Sequence, residues 1–451
     1  MKTKPCKKTS WLSRLGIIAL CAYLTGCLPD KKVIWSPDGS RAGVLSGDEL
    51  YLCDAQGKLS SMVLSGVMNY AWLPDSQRLV VTHMTKITSW KELAGELKAD
   101  QLKPVTDLAD SILARIRANS TEVVSSKDQD QKGDSTLPAA FLYLKENHGT
   151  IFEVWAKDNE KARDPEVLLF TLQVVQVPVN GKTELGTILC KTLTTPAEIR
   201  PAPSRSTIAW VNKTNALFVA ALDGSHPLQL VEPRTALFPD WTADSRALVY
   251  VRPAGEGEAQ CGILYRKELF DVAGKFTENM PEDLAGSLFD GTCKVRCLRD
   301  GRILFSSTEL HLPLTVKDIP QRENIFVLDS ARQATLVRLI PREAESETPQ
   351  KCWSFEVSPD EKRISLAADD GRIVVMTMAT GAMETVQTAR GDKTFKFVPT
   401  WRNAEELTFA AIPEKAGDTQ TQKSAVSLWS TDKVRPLSET WPEEVLSRLF
   451  N

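Results

Sequence analysis

The chain has 451 residues, 42% of them hydrophobic, which is enough for a large core, and a formal charge of -3 from 55 Lys+Arg against 58 Asp+Glu. Neutralising phosphates needs clustered cations, and no basic stripe is visible, so nucleic-acid binding is excluded. In chain order, residues 1–14 carry Lys2, Lys4, Lys7, Lys8 and Arg14 with no acid, and residues 15–24 are an apolar run. That run is short of the roughly 20 residues a spanning helix needs, and it reads as the core of a secretory signal.

The next residues, Leu24-Thr25-Gly26-Cys27, resemble the bacterial lipobox. The resemblance implies a signal peptide over 1–26, acylation of Cys27 and a short tether over 27–32. One acyl chain binds marginally at ~0.8 kcal/mol per buried methylene, so several together anchor stably. Leu28, in place of Asp, at the second mature position implies transfer to the outer membrane of the bacterial cell envelope, with the periplasmic or surface side left open.

Residues 33–58 read as strand, Pro37-Asp38-Gly39 turn, strand, Gly47-Asp48 turn, strand. Proline presets φ, Asp bonds back to the backbone and Gly accepts positive φ, so all three residues favour reversal. Related turns recur at 72–76, 203–206, 241–245, 299–301, 358–360 and 401–404, each before an apolar strand. Seven such units predict an all-β chain, a β-propeller over 33–451 with seven blades, and six or eight left open by the departures from the full turn. The Trp-Ser-Pro-Asp-Gly turn before an apolar strand resembles the TolB-type, WD-like repeat of bacterial envelope proteins. That resemblance implies protein recognition more than catalysis, and it fixes no partner.

Within the second unit the period changes from two to helical. Ser89 and Glu92 form a capping box, Pro104 is expected to separate two helices, Pro138 opens a third, and Trp155 falls in a fourth. Residues 128–139 carry Asp128, Asp130 and Gly133 at EF-hand spacing, but Lys132 and Ala139 fall where oxygen ligands are required, which argues against calcium. Strand character returns near 168, with a hairpin turn at Asn180-Gly181. Residues 86–165 are therefore an insertion between strands two and three of blade two. Residues 437–451 are expected to close the ring or form a short helix.

Of nine cysteines, Cys6 and Cys21 leave with the signal and Cys27 is the acylation site. Cys53, Cys190, Cys261, Cys293, Cys297 and Cys352 allow up to three disulfides. No nucleophile elbow, zinc-peptidase or phosphate-loop motif occurs, so no catalytic residue, metal ligand or cofactor is assigned, and no ligand-binding residue either. His83 and His148 flank the insertion and could in principle meet, but are expected to be solvated loop residues. The repeated carboxylates Asp38, Asp75, Asp244, Asp300 and Asp360 are expected to form turns, and Trp35, Trp72, Trp241 and Trp401 to pack between blades. Trp90, Tyr143 and Trp155 are anchors of the insertion or contact residues. The expected function is a lipid-anchored protein-interaction module, not an enzyme, with the membrane met through Cys27. The alternative is an enzyme or a carbohydrate or small-ligand binder using the central funnel.

Overall fold

Turn chemistry sets the repeat. In the computed structural model Asp38 Oδ1 accepts from Ser36 Oγ at 2.6 Å and from the Ser40 amide at 3.0 Å, while Gly39 takes φ +68°. Asp75, Asp244, Asp300 and Asp360 each accept from the backbone two residues on, and the residue after each Asp has positive φ. The carboxylates are turn formers, as expected. Burial pushes Asp38, Asp75, Asp244 and Asp360 up, but these hydrogen bonds outweigh it and hold all four below the usual range.

The structure describes residues 31–118, 136–163, 165–177, 183–224, 229–232, 237–254, 261–271, 274–276, 281–287, 294–308, 323–329, 337–338, 352–368, 371–388, 397–411, 424–431 and 433–450. Residues 1–30 with Cys27, the EF-hand-like stretch up to 135, the Asn180-Gly181 turn, His226, His311 and Cys293 lie outside these.

Described strands form seven antiparallel sheets, in each of which successive strands are neighbours. Their first strands are Val33–Trp35, Val67–Trp72, Pro196–Pro201, Leu237–Trp241, Val295–Cys297, Cys352–Val357 and Thr400–Trp401. These first strands pack on one another around a common axis, and Val33–Trp35 meets Thr400–Trp401 to close the ring. An apolar layer fills every gap between neighbouring sheets, from Tyr70, Trp72 and Leu45 between sheets one and two to Trp401, Trp429 and Val375 between sheets six and seven. The fold is a β-propeller. Sheet one has three strands, because the chain after Glu49–Asp54 pairs with it only at Leu59 and Leu64.

The four predicted indoles tie sheets together. Trp35 Nε1 donates to Thr408 Oγ1 at 2.7 Å, Trp72 Nε1 to the Ile34 carbonyl at 2.8 Å, Trp241 Nε1 to that of Arg200 at 2.8 Å, and Trp401 Nε1 to that of Glu356 at 3.0 Å. Each bond reaches the preceding sheet, so one side chain supplies both apolar area and a directional link. The last helix, Glu443–Phe450, starts after Pro442 and buries Val445 and Leu449 against sheet one. Ser46 Oγ donates to the Val445 carbonyl at 2.7 Å, and Arg448 pairs with Glu49 at 2.8 Å.

Among the described residues, five helices lie between the second and third strands of sheet two, Arg78–Ile87 and Val167–Gln176: α1 (Trp90–Glu96), α2 (Ala99–Arg117), α3 (Thr136–Asn147), α4 (Gly149–Lys157) and α5 (Glu160–Arg163). Ser89 Oγ accepts from the Glu92 amide at 3.1 Å, capping α1 as expected. Pro104 does not divide the helices; it lies inside α2, and the break falls at 97–98. So near the helix start the ring forfeits only the bond to the Asp100 carbonyl, and the fixed φ suits the helix. Phe141, Leu142, Phe152 and Trp155 centre an apolar cluster that continues into Ile87, Val167 and Leu169 of sheet two. Because the strand Arg78–Ile87 leaves the Asp75 turn at its start and enters α1 at its end, these helices cap the face opposite the turns.

Candidate functional site

Aligning the turns places one residue of each first strand immediately before the indole or its substitute. That position holds Ile34, Ala71, Arg200, Asp240, Arg296, Glu356 and Thr400 in sheets one to seven. Charge is thus confined to sheets three to six. Two residues earlier stand Glu198, Lys294 and Ser354, whose side chains join the same charged positions.

These side chains form one network at the axis. Arg296 donates to Glu356 Oε1 at 2.9 Å, and Lys31, from the segment before the first strand, reaches the same oxygen at 2.7 Å. Lys294 Nζ donates to Ser354 Oγ at 2.6 Å, Arg200 pairs with Glu198 at 3.1 Å, and Asp240 Oδ2 accepts from the Cys297 amide at 2.8 Å. Glu198 adopts φ +43° and Phe238, at the same repeat position, φ +49°; both mark register shifts in their strands. Such backbone costs about 1–3 kcal/mol for a residue with a Cβ. It re-aims the strand where the charges meet.

Electrostatics follow from low exposure. Burial pushes the Glu356 carboxyl up, but Arg296, Lys31, Lys294 and Arg200 outweigh it and hold the group far below the usual carboxylate range. Burial also pulls the Lys31 ammonium down to about 8, with Glu356 opposing, and lowers Lys294 for the same reasons. For Arg296 burial acts downward, and Glu356, Asp240 and Glu198 more than offset it. Four cations face three carboxylates. Arg200 Nε is buried without a hydrogen-bond partner among the described residues.

None of these residues stands out in the unaligned sequence. The signal is a charged residue before the indole position, repeated in copies three to six. Elsewhere, His83 lies within the strand Arg78–Ile87, its Nδ1 3.4 Å from Thr85 Oγ1, and not in a loop. His148 begins α4 with its ring 6.2 Å from Tyr143, so the two histidines have separate neighbours. Trp155 is buried in the cap core, and Trp90 meets Tyr143 edge-on at 4.8 Å.

Cys53, Cys190 and Cys297 are free thiols, so among Cys53, Cys190, Cys261, Cys293, Cys297 and Cys352 at most one disulfide is left of the up to three expected. They sit in separate inter-sheet layers. Burial pushes Cys53 and Cys190 up to about 12, so neither is poised as a nucleophile.

No protein-family model matches the chain, and no curated protein matches it. Similar solved structures include a hydrazine synthase from Kuenenia stuttgartiensis, at 13% identity over 78% of each chain with TM-score 0.43. The β-propeller domain of Cps50 (Swd1) from Myceliophteria thermophila aligns over 89% of this chain and 97% of that one, at 7% identity and TM-score 0.45. The β-propeller domain of the Trilobed protease from Pyrococcus furiosus aligns over 60% and 80%, at 12% identity and TM-score 0.38. At these identities and scores the likenesses carry no function across.

Proposed function

We propose that the chain is a lipid-anchored protein-interaction module of the bacterial cell envelope, tethered through Cys27 to the outer membrane, with its partner-binding surface on residues 86–165. The Leu24-Thr25-Gly26-Cys27 order and Leu28 support the anchor and its membrane, and the Trp-Ser-Pro-Asp-Gly repeat supports a TolB-type relationship. The observation that carries the reading is the cap, whose described helices share an apolar cluster of their own on the ring and leave Ile151 39% and Val154 66% exposed on α4. Long ordered connections on rigid scaffolds are where recognition concentrates.

Crosslinking in intact envelopes, followed by mass spectrometry, identifies what the wild-type chain holds. Replacing 86–165 by a short Gly/Ser turn, or introducing Ile151→Asp with Val154→Asp, is expected to abolish recovery of that same partner while circular dichroism stays that of a folded propeller. Recovery at the wild-type level moves the surface to the axis or the turn face.

A second reading, a carbohydrate or small-ligand binder or an enzyme using the central funnel, draws support from the unsatisfied Arg200 Nε beside Glu198. Against it, Glu356, Glu198 and Asp240 converge at the axis already engaged by cations or a backbone amide.

A further inference from the structure

We infer that the propeller stands with its cap-side face against the lipid headgroup layer, its axis leading the tether to the membrane. The inference rests on acylation at Cys27 and adds the orientation that acylation imposes.

The first strand, Val33–Trp35, runs toward the Pro37-Asp38-Gly39 turn, so the chain before it enters from the opposite face. Sheet two has the same polarity: the Asp38 amide donates to Ser76 Oγ at 3.1 Å, which brings the turns of sheets one and two side by side. In sheet two the strand leaving that turn ends at Ile87, where the cap begins. Lys31 and the cap therefore share a face.

The start of the ring is also pinned. The Lys32 carbonyl accepts from the Leu45 amide at 2.8 Å, and the Lys31 ammonium is held by Glu356 at the axis. Only four peptide steps separate Lys31 from Cys27. Fully extended they reach about 14 Å, at ~3.5 Å per residue. By contrast the strand from Arg78 to Ile87 places the Asp75 turn roughly 30 Å from the cap, at ~3.3 Å per residue. A tether this short cannot pass around the ring to bring the turn face to the bilayer. A protein that binds the cap meets it in the plane of the membrane.

The test uses the full acylated chain, purified from bacterial membranes and reconstituted into vesicles of phosphatidylethanolamine and phosphatidylglycerol containing a headgroup-spin-labelled lipid. A bimane probe is attached at Val154→Cys on the cap or at Gln77→Cys beside the turns, with the signal of the unsubstituted chain subtracted. Several-fold stronger quenching at 154 than at 77 is expected. Inserting about twenty Gly/Ser residues after Leu28, a coil of roughly 25 Å, is expected to reduce that contrast. Equal quenching, or stronger quenching at 77, overturns the orientation. The mass of the amino-terminal peptide separates the two ideas: an unacylated Cys27 removes the anchor and the orientation together, while an acylated Cys27 with quenching at 77 removes the orientation alone.

Discussion

Trp241 donates its indole N–H to the backbone carbonyl of Arg200 at 2.8 Å, so the residue that closes sheet four onto sheet three also fixes the strand from which Arg200 enters the axial network. The neighbouring residue, Asp240, reaches the other way, to the Cys297 amide of sheet five. Architecture and axis are thus coupled within one dipeptide. Trp401 repeats the relationship at Glu356, whose carbonyl it binds while the carboxylate holds Arg296 and Lys31.

Trp241→Phe keeps most of the apolar area and leaves the Arg200 carbonyl without its donor. Loss of a buried hydrogen bond with its partner stranded costs about 1–3 kcal/mol. Trp241→Ala opens a cavity as well and is expected to cost about 3–5 kcal/mol. Urea denaturation followed by circular dichroism reads both. A Phe variant as stable as wild type means that the indole contributes area alone.

The axial network is expected to give stability two pH windows. Glu356 has its folded pKa depressed, so its contribution is fully present above the ordinary 4.5 and is lost as pH falls through the folded value. Lys31 has its folded pKa lowered from 10.5 to about 8 by burial. Between those two values the unfolded chain holds a proton that the folded chain has released, so stability rises with pH across that window. At ~1.4 kcal/mol per unit the rise is on the order of 3 kcal/mol. Buried Cys53, Cys190 and Tyr70, whose pKa values burial raises, act oppositely above pH 9 and are common to both chains. Comparing wild type with Lys31→Met at pH 8 and pH 10.5 isolates Lys31: the difference in unfolding free energy is expected to shift in favour of wild type. No shift rejects a Lys31 that titrates at the axis.

Each turn signature in the sequence lies at one of the sheets that the described strands form, because turn chemistry is local: Asp38 and Gly39 bond and bend within four residues. The indole positions were legible for the same reason. Arg200, Asp240, Arg296 and Glu356 were not, since each is an ordinary strand residue until a closed ring brings four sheets to one axis. Lys31 read as tether, and only Glu356, more than 300 residues away, makes it part of the site. Pro104 read as a break because propensity penalises proline, yet near the start of α2 it forfeits a single bond and leaves the cap packing intact.

Cap and ring are expected to respond differently to damage in the cap. Phe152 is 2% exposed and stands among Phe141 and Trp155, with ring centroids 6.0 and 5.8 Å away. Phe152→Ala removes a ring from the middle of that cluster, a change worth about 3–5 kcal/mol where the cavity cannot collapse. Seven separate apolar layers hold the ring, and none includes Phe152. Hydrogen exchange should therefore accelerate through α2, α3 and α4 while amides of the strands Thr207–Asn212, Arg363–Ala368 and Glu406–Ala411 keep wild-type protection. The strand ends at Ile87 and Val167 belong to the cap cluster and are expected to loosen with it. Uniform acceleration across all seven sheets would mean that cap and ring unfold as one cooperative unit, and the Gly/Ser replacement of 86–165 would then be read as a folding defect and not as a lost binding surface.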